Sequence, residues 1–402
     1  MKNILVVGSN FAGSTVALEI KRKLKDGVNV TVIDKFDKSI YFPSLIWVPF
    51  GRRNIDDVLI ERKPVFDKYN VTFVNDCATR VSPSESIVYT ESGSQYNYDE
   101  LVIATGPKVN TDIVPGINEY NNYIGSIEGA KKIKERLVDF KKNPGPIVIG
   151  ATQKAGCMGA AYEFLFNMNH WLKKEKIRDK VKLYWITPEP YLGHFGIDGM
   201  PLSETYLKAF MKMFDIEYRV SVGVNSITPN SVILSTGEEI QSSFTSLMLP
   251  FTGVDFIKNS PELEYDSNNY FLNLKDNYQH KTYENIWGAG LTVNVVPPFK
   301  KTEIPFSVPK TGYPSDTTGK IVANNIYVKL SGNGKYISRT WGRIAALCVM
   351  DAGNMEVIIL GSSFFKPRTF ALMIPNVFSD SSKVMLEKYF LWKLKHGYSY
   401  LL

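Results

Sequence analysis

The sequence predicts an α/β fold, with two Rossmann-like units of the three-layer β/β/α type and a C-terminal region of different character. Three observations predict it. A strand–turn–helix–strand rhythm fills the first thirty-odd residues, the same rhythm returns near residue 147, and two further strands end abruptly in glycine. Repeated βαβ units normally build parallel sheets.

In the first unit, Ile4 to Val7 reads as a strand, Gly8 to Gly13 as a turn and Ser14 to Lys25 as a helix. Val28 to Ile33 is the second strand, closed by Asp34. The turn Gly8-Ser9-Asn10-Phe11-Ala12-Gly13 departs from G-x-G-x-x-G by placing Asn10 at the middle glycine. Its chemistry survives that change. Gly8 permits the sharp turn, the helix N-terminus attracts a pyrophosphate, and Gly13 lets helix and strand approach closely. Asp34, 21 positions after Gly13, stands where an acid accepts hydrogen bonds from a ribose 2′-OH. The competing reading is an ordinary βα turn with a surface aspartate. Two strand-to-glycine endings follow, Tyr98 to Gly106 and Asn285 to Gly290.

The second unit opens with Ile147-Val148-Ile149-Gly150-Ala151-Thr152-Gln153-Lys154-Ala155-Gly156-Cys157. An apolar strand enters a glycine turn, which then offers a thiol where a pyrophosphate loop needs bare backbone. A helix from about Ala160 to Lys174 and a strand from Val181 to Ile186 complete the unit. That strand runs into Thr187-Pro188 without the acid a nicotinamide site wants. A second thiol, Cys348, lies in the apolar stretch Ala345 to Met350; alone it reads equally as a buried strand residue. Beyond about residue 331 glycine turns thin out and aromatics collect. The expected division is 1–108 and 256–330 as two parts of one unit, 109–255 as the other, and 331–402 as a separate portion.

Composition narrows the function classes. The 402 residues are 22% charged and 44% hydrophobic, ordinary for a folded chain. The net charge of +7 comes without a Lys/Arg block, which places an anionic membrane surface above nucleic acid as a partner. Three cysteines make no disulfide scaffold, and the four histidines show no metal-ligand spacing. Met1-Lys2-Asn3 leaves no room for a signal peptide before the first strand. No apolar run reaches the ~18 residues of a spanning helix. These points predict a protein made in the cytoplasm that does not cross a bilayer.

Asp34, the segment Ile40-Tyr41-Phe42-Pro43-Ser44-Leu45, the turn Ala104-Thr105-Gly106 and Lys310-Thr311-Gly312 together resemble the flavoprotein disulfide reductase superfamily. Within it the chain resembles the sulfide:quinone oxidoreductases along essentially its whole length. The most specific matches are Gly150 to Cys157 continuing to Ala161-Tyr162-Glu163-Phe164, and Thr187 to Gly196. Pro309 to Tyr313 and Lys366-Pro367-Arg368 add to them.

The resemblance implies non-covalent FAD held by Gly8, Asn10, Phe11, Ala12, Gly13, Asp34, Lys35, Ser44, Ala78, Ala104, Thr105, Gly106, Gly290, Lys310, Thr311 and Gly312. It implies that Cys157 and Cys348 are a redox pair across the flavin's reactive face. His194 matches a histidine near the sulfide side, where it could lower a thiol's pKa or shuttle protons. Glu163 reads as a proton relay or as a solvated helix residue. Cys77 has no matched role. The implied reaction carries hydrogen sulfide to polysulfide or sulfur, with two electrons passing through FAD to a membrane quinone. Many relatives carry a third cysteine followed by Glu-His-Ala; here the stretch is Ser126-Ile127-Glu128-Gly129-Ala130, which implies a two-cysteine mechanism. The alternatives are a type II NADH:quinone oxidoreductase and a non-catalytic flavin-bound sulfur carrier or redox sensor.

Phe364-Phe365, Phe370 to Pro375 and Met385 to Lys395 suit a surface lying in the membrane interface, with interleaved lysines snorkelling toward head groups. Lys383 and Glu387 interrupt its apolar arc. The competing readings are a contact between copies of the chain and a docked core helix. Phe365, Tyr389 and Phe390 are candidates among these aromatics to sandwich a quinone ring, and the expected location is peripheral, on the cytoplasmic membrane face.

Overall fold

A computed structural model describes residues 1–299 and 302–401. The elements that position the site are, in chain order, β1 (Lys2–Val7), α1 (Phe11–Leu24), β2 (Val28–Asp34), β3 (Thr72–Asn75) and β4 (Glu100–Ile103). The second unit supplies β5 (Ile147–Ala151), α2 (Met158–Lys174), β6 (Leu183–Ile186), β7 (Ile216–Arg219) and β8 (Phe244–Met248). Then come β9 (Ile286–Gly288), α3 (Gly312–Ser331), β10 (Ala346–Asp351), β11 (Glu356–Gly361), β12 (Ala371–Asn376) and α4 (Ser381–His396).

Two parallel sheets result. The first runs β9-β4-β1-β2-β3 and the second β7-β6-β5-β8. Their central strands are apolar on both faces, as strands covered on both sides must be: Ile147, Val148 and Ile149 are all fully buried. β1 has β2 on one side and β4 on the other, so the chain leaves its C-terminal end at a switch point, where a crevice opens beyond the strands. Gly8 stands there.

Both helices start earlier than the periodicity predicts. α1 begins at Phe11, with Asn10 at its N-cap, and α2 begins at Met158, with Cys157 at its N-cap. Residues after 331 form an antiparallel sheet, β10-β11-β12, and the helix α4. This sheet shares one apolar core with α2 and β5. None of the helices among the described residues is long and apolar enough to cross a membrane.

On α4 one of the lysines expected to snorkel, Lys393, turns inward instead, together with the interrupting Lys383 and Glu387; all three are buried. Lys383 meets Glu163, Glu387 meets Arg53, and Lys393 meets Asp316 at 2.8 Å. The outward face carries Met385 and Trp392 with the exposed Lys388 and Lys395. The apolar arc fails on the helical wheel because the inward polar residues pair with charges of the interior, while Met385 and Trp392 face out.

Candidate functional site

At the switch point, β1 turns at Gly8 with φ +102°, and a Cβ there would come 2.3 Å from the Ala104 carbonyl oxygen. A Cβ on Gly13 would sit 1.9 Å from the Gly8 carbonyl oxygen. Any other residue at either position would push β1, β4 and α1 apart. Gly290 and Ala12 face each other across this junction, and Gly312 packs against the Phe11 ring. Residues separated by 300 positions are thus gathered at one helix N-terminus.

Polar atoms around the junction are left to receive a ligand. Asn10 Oδ1 and Ser44 Oγ are buried without a hydrogen-bond partner. Asp34 accepts from Ser9 N and Ser9 Oγ through one oxygen and from Phe36 N through the other, which leaves acceptor capacity at the end of β2. Lys310 is buried, donates to the carbonyls of Leu291 and Val293, and lies 3.7 Å from the centre of the Phe271 ring. Burial pushes its ammonium down to about 7. Thr311 caps α3; Thr105 and Gly106 turn the chain after β4, Ala78 opens the strand after Cys77, and Lys35 is exposed beside Phe36. The residues present fit a dinucleotide laid across this crevice.

The second glycine turn is closed by its own chain. Lys154 N donates to Pro305 O, Ala155 N to Thr152 O, and Gly156 N to Leu249 O. Lys310 N donates in turn to Gly156 O. Amides that would cradle a pyrophosphate are used up, and Cys157 follows at the N-cap of α2.

Cys157 is half-buried and Cys348, on the edge strand β10, is accessible; both are free thiols. Protein nevertheless crowds around both thiols. Burial raises the Cys157 thiol above its ordinary pKa, against hydrogen bonds from the amides of Ala160 and Gly159 and the charge of Lys383. Burial pushes Cys348 up to about 12; Lys383 opposes this, while Glu163 and Cys157 add to it. The two thiols therefore share one electrostatic environment, the Glu163–Lys383 pair. Glu163 Oε1 accepts from Lys383 Nζ at 2.5 Å and from Asp351 N at 2.9 Å. Burial raises the Glu163 carboxyl, with Lys383 pulling it back. Burial also disfavours the Lys383 charge, but Glu163, Cys348 and Asp351 outweigh it and hold the ammonium above its usual value. The solvated reading of Glu163 is thereby corrected.

His194 lies in an aromatic box, edge-on to Phe306 at 4.6 Å, Phe299 at 5.0 Å and Tyr191 at 5.2 Å. Burial lowers its pKa to about 4, and its charged neighbours are Asp198 and Lys366, not a thiol. It is neutral near pH 7, so it does not lower a thiol's pKa by charge. This gives a stability prediction. The folded value lies below the 6.5 of a free histidine, so between about pH 6.5 and 4 the unfolded chain binds the proton first. Stability should fall by roughly 3 kcal/mol as pH drops through that window. Urea midpoints across it should show this for the parent and a flatter slope for His194→Phe; equal slopes would refute the assignment.

The structure does not bring Phe365 together with Tyr389 and Phe390. Phe365 packs edge-on to Phe299, on the His194 side. Phe390 instead stacks on Tyr41, which also touches Phe11, and Tyr389 lies edge-on to Phe390. Sequence reasoning gave no role to Lys383 or Tyr41. It also passed over Glu189, which is fully buried and accepts from Tyr162 Oη at 2.9 Å and Thr187 Oγ1 at 3.0 Å. Burial raises its carboxyl to about 7. The signal for Lys383 was present as a charge inside an apolar arc.

Two parallel Rossmann sheets, one open glycine junction and a thiol in place of the second define a two-dinucleotide-fold oxidoreductase of the flavin type. The family model described as pyridine nucleotide-disulphide oxidoreductase matches residues 2–300. A sulfide-quinone reductase from Aquifex aeolicus is 32% identical over 98% of this chain and 92% of its own. The crystal structure of the Aquifex aeolicus sulfide:quinone oxidoreductase superposes with a TM-score of 0.94 at 31% identity, covering 99% of this chain and 92% of that one. A mitochondrial sulfide:quinone oxidoreductase from Dictyostelium discoideum is 27% identical over 74% of this chain and 66% of its own. The chain belongs to the sulfide:quinone oxidoreductases of the pyridine nucleotide-disulphide oxidoreductase family, and is an FAD-dependent oxidoreductase.

Proposed function

We propose that the protein oxidises hydrogen sulfide to polysulfide or sulfur through Cys157 and Cys348 and passes the electrons by way of FAD to a membrane quinone. The observation that carries this reading is that two thiols 191 positions apart lie on elements joined at the Glu163–Lys383 pair: Cys157 starts α2, which carries Glu163, and Cys348 is on β10, whose Asp351 amide donates to Glu163. The sixteen residues named above, from Gly8 to Gly312, would hold FAD non-covalently, with the chain divided as 1–108, 109–255, 256–330 and 331–402.

In the oxidised pair HS⁻ attacks one sulfur of a Cys157–Cys348 disulfide. That S–S bond breaks, a Cys–S–SH bond forms and the other cysteine leaves as a thiolate, with no net change in electrons. Joining the persulfide to the thiolate as a trisulfide then releases two electrons and one proton. FAD held by those residues would supply the two-electron acceptor between the sulfur pair and a quinone. Lys383 and the α2 N-terminus stabilise the thiolate, Glu163 is placed to take the proton, and neutral His194 can shuttle one on the sulfide side. Repetition lengthens the sulfur chain, and attack of the partner thiolate on the cysteine sulfur that bears it then re-forms the Cys157–Cys348 disulfide and expels the chain as a polysulfide anion.

Membrane attachment rests on the outward apolar surface. Leu372 and Ile374 alternate outward on β12 around the buried Met373, and Phe378, Met385 and Trp392 continue the patch, with Phe378 92% exposed. Lys388 and Lys395, exposed on α4, are placed to reach head groups. Tyr389 and Phe390, beside Tyr41, are the better-placed pair for the quinone ring.

Anaerobic titration tests the whole reading. Sulfide should bleach the flavin, NADH should not, and a quinone in anionic vesicles should restore the colour. Phe378→Asp should weaken sedimentation with those vesicles. Bleaching by NADH alone would overturn the reading in favour of an NADH:quinone oxidoreductase. Bleaching by sulfide without reoxidation by quinone would favour a sulfur carrier or sensor.

A further inference from the structure

A second recess lies outside the thiol centre. It is a groove of about 370 Å³ between the loop following β9, the Leu274–Tyr278 hairpin and the turn Trp341–Arg343. Its walls include Leu274, Val293, Val296, Pro298 and Phe365, and it carries Lys275, Arg343 and Lys366 against one carboxylate, Asp276. Among the described residues, Lys275 and Arg343 form no ion pair, while Lys366 pairs with Asp198. All three cations are exposed at the rim.

Two deeper groups point to a ligand. Trp341 and Tyr278 both line the groove and are 4% and 2% exposed, yet the indole Nε1 and the phenol oxygen lack any hydrogen-bond partner. Buried polar atoms are nearly always paired, and an indole N–H can only donate. The groove therefore asks for an acceptor at its base, an apolar body along its wall and negative charge near its rim.

It also backs onto the site. Val293 offers its carbonyl to Lys310 Nζ at 3.1 Å. The Phe365 ring lies so close over Gly342 that a Cβ there would come within 2.2 Å of it, and Phe365 meets Phe299, which borders His194. One wall of the groove is thus shared with the aromatic box.

We propose that this groove binds the anionic polysulfide chain after it leaves the thiol centre, an inference that rests on the sulfide-oxidising reading. A polysulfide has a polarisable, weakly hydrated body that suits aromatic and valine walls, and terminal charges that accept hydrogen bonds. Trp341 and Tyr278 hold one terminus, and Lys275 and Arg343 hold the other.

The test uses FAD-loaded full-length protein carrying Cys157→Ala and Cys348→Ala, so that no thiol at the centre can react. Anaerobic equilibrium dialysis with sodium tetrasulfide, at fixed ionic strength set with chloride, should show one saturable site. Adding Trp341→Phe, or Lys275→Gln with Arg343→Gln, should weaken it at least about tenfold. In protein with both cysteines intact, the Lys275→Gln/Arg343→Gln variant should reduce its flavin with sulfide at the parent rate in the first turnover. Equal tetrasulfide binding with and without these substitutions would overturn the groove. Sulfide turnover without tetrasulfide binding would overturn the groove and leave the reaction; binding without turnover would overturn the reaction.

Discussion

Cys157→Ser and Cys348→Ser are each expected to lower sulfide-driven quinone reduction by at least about a thousandfold while leaving FAD bound. A hydroxyl cannot form or break the S–S bond on which every step depends, so neither residue can stand in for the other. The fold should tolerate both changes. Cys157 is half-buried at a helix N-cap, where serine is a favoured residue, and Cys348 is accessible on an edge strand. Flavin content and melting temperature should therefore stay near the parent values, which separates lost chemistry from lost structure. The two positions are not equivalent. Amides of Ala160 and Gly159 favour the Cys157 thiolate, whereas burial drives Cys348 to about 12. The better leaving thiolate is Cys157, so sulfide should attack Cys348 and leave the persulfide there. Anaerobic trapping after one equivalent of sulfide, followed by peptide mass measurement, should find the added sulfur on Cys348. Substantial activity in either serine variant would refute the two-cysteine mechanism.

Local signals carried the fold further than the site. The βαβ rhythm, Gly8, Gly13 and Asp34 announce the first parallel sheet because each acts through its immediate neighbours, and the structure gathers them where a Rossmann crevice lies. Asn10, odd as a motif residue, keeps a buried oxygen without a partner. The start of α2 was misread by two residues because a cysteine is not an N-cap signal, and the misreading hid the amides that face its thiol. The charges of α4 were visible in the sequence as interruptions. Their partners Glu163, Arg53 and Asp316 lie 220, 334 and 77 positions away, beyond any periodicity. Phe365 was grouped with Tyr389 and Phe390 by composition, and tertiary packing sends it to the other side of the site.

Lys383→Met should slow sulfide oxidation at pH 7 by roughly tenfold or more and shift the rate's alkaline rise to higher pH. Lys383 is the cation that lowers both thiols, so its loss leaves burial unopposed and each thiolate rarer at a given pH. Glu163 then loses its counter-charge in a buried setting and should take a proton, since an unpaired buried carboxylate is costly. Glu163→Gln presents the opposite case. It leaves the ammonium buried without its carboxylate, which should cost about 3–5 kcal/mol unless the lysine deprotonates. The double variant Glu163→Gln/Lys383→Met removes both charges and should recover much of that stability, but not the rate, because no cation returns to the thiols. Urea unfolding and pH–rate profiles of the three variants separate a brace from an electrostatic partner. If Lys383 only braces α4, stability falls in the single variants while the pH profile of the surviving activity stays that of the parent. If it serves the thiols, the profile moves alkaline in both variants that lack it, including the one whose stability has been restored.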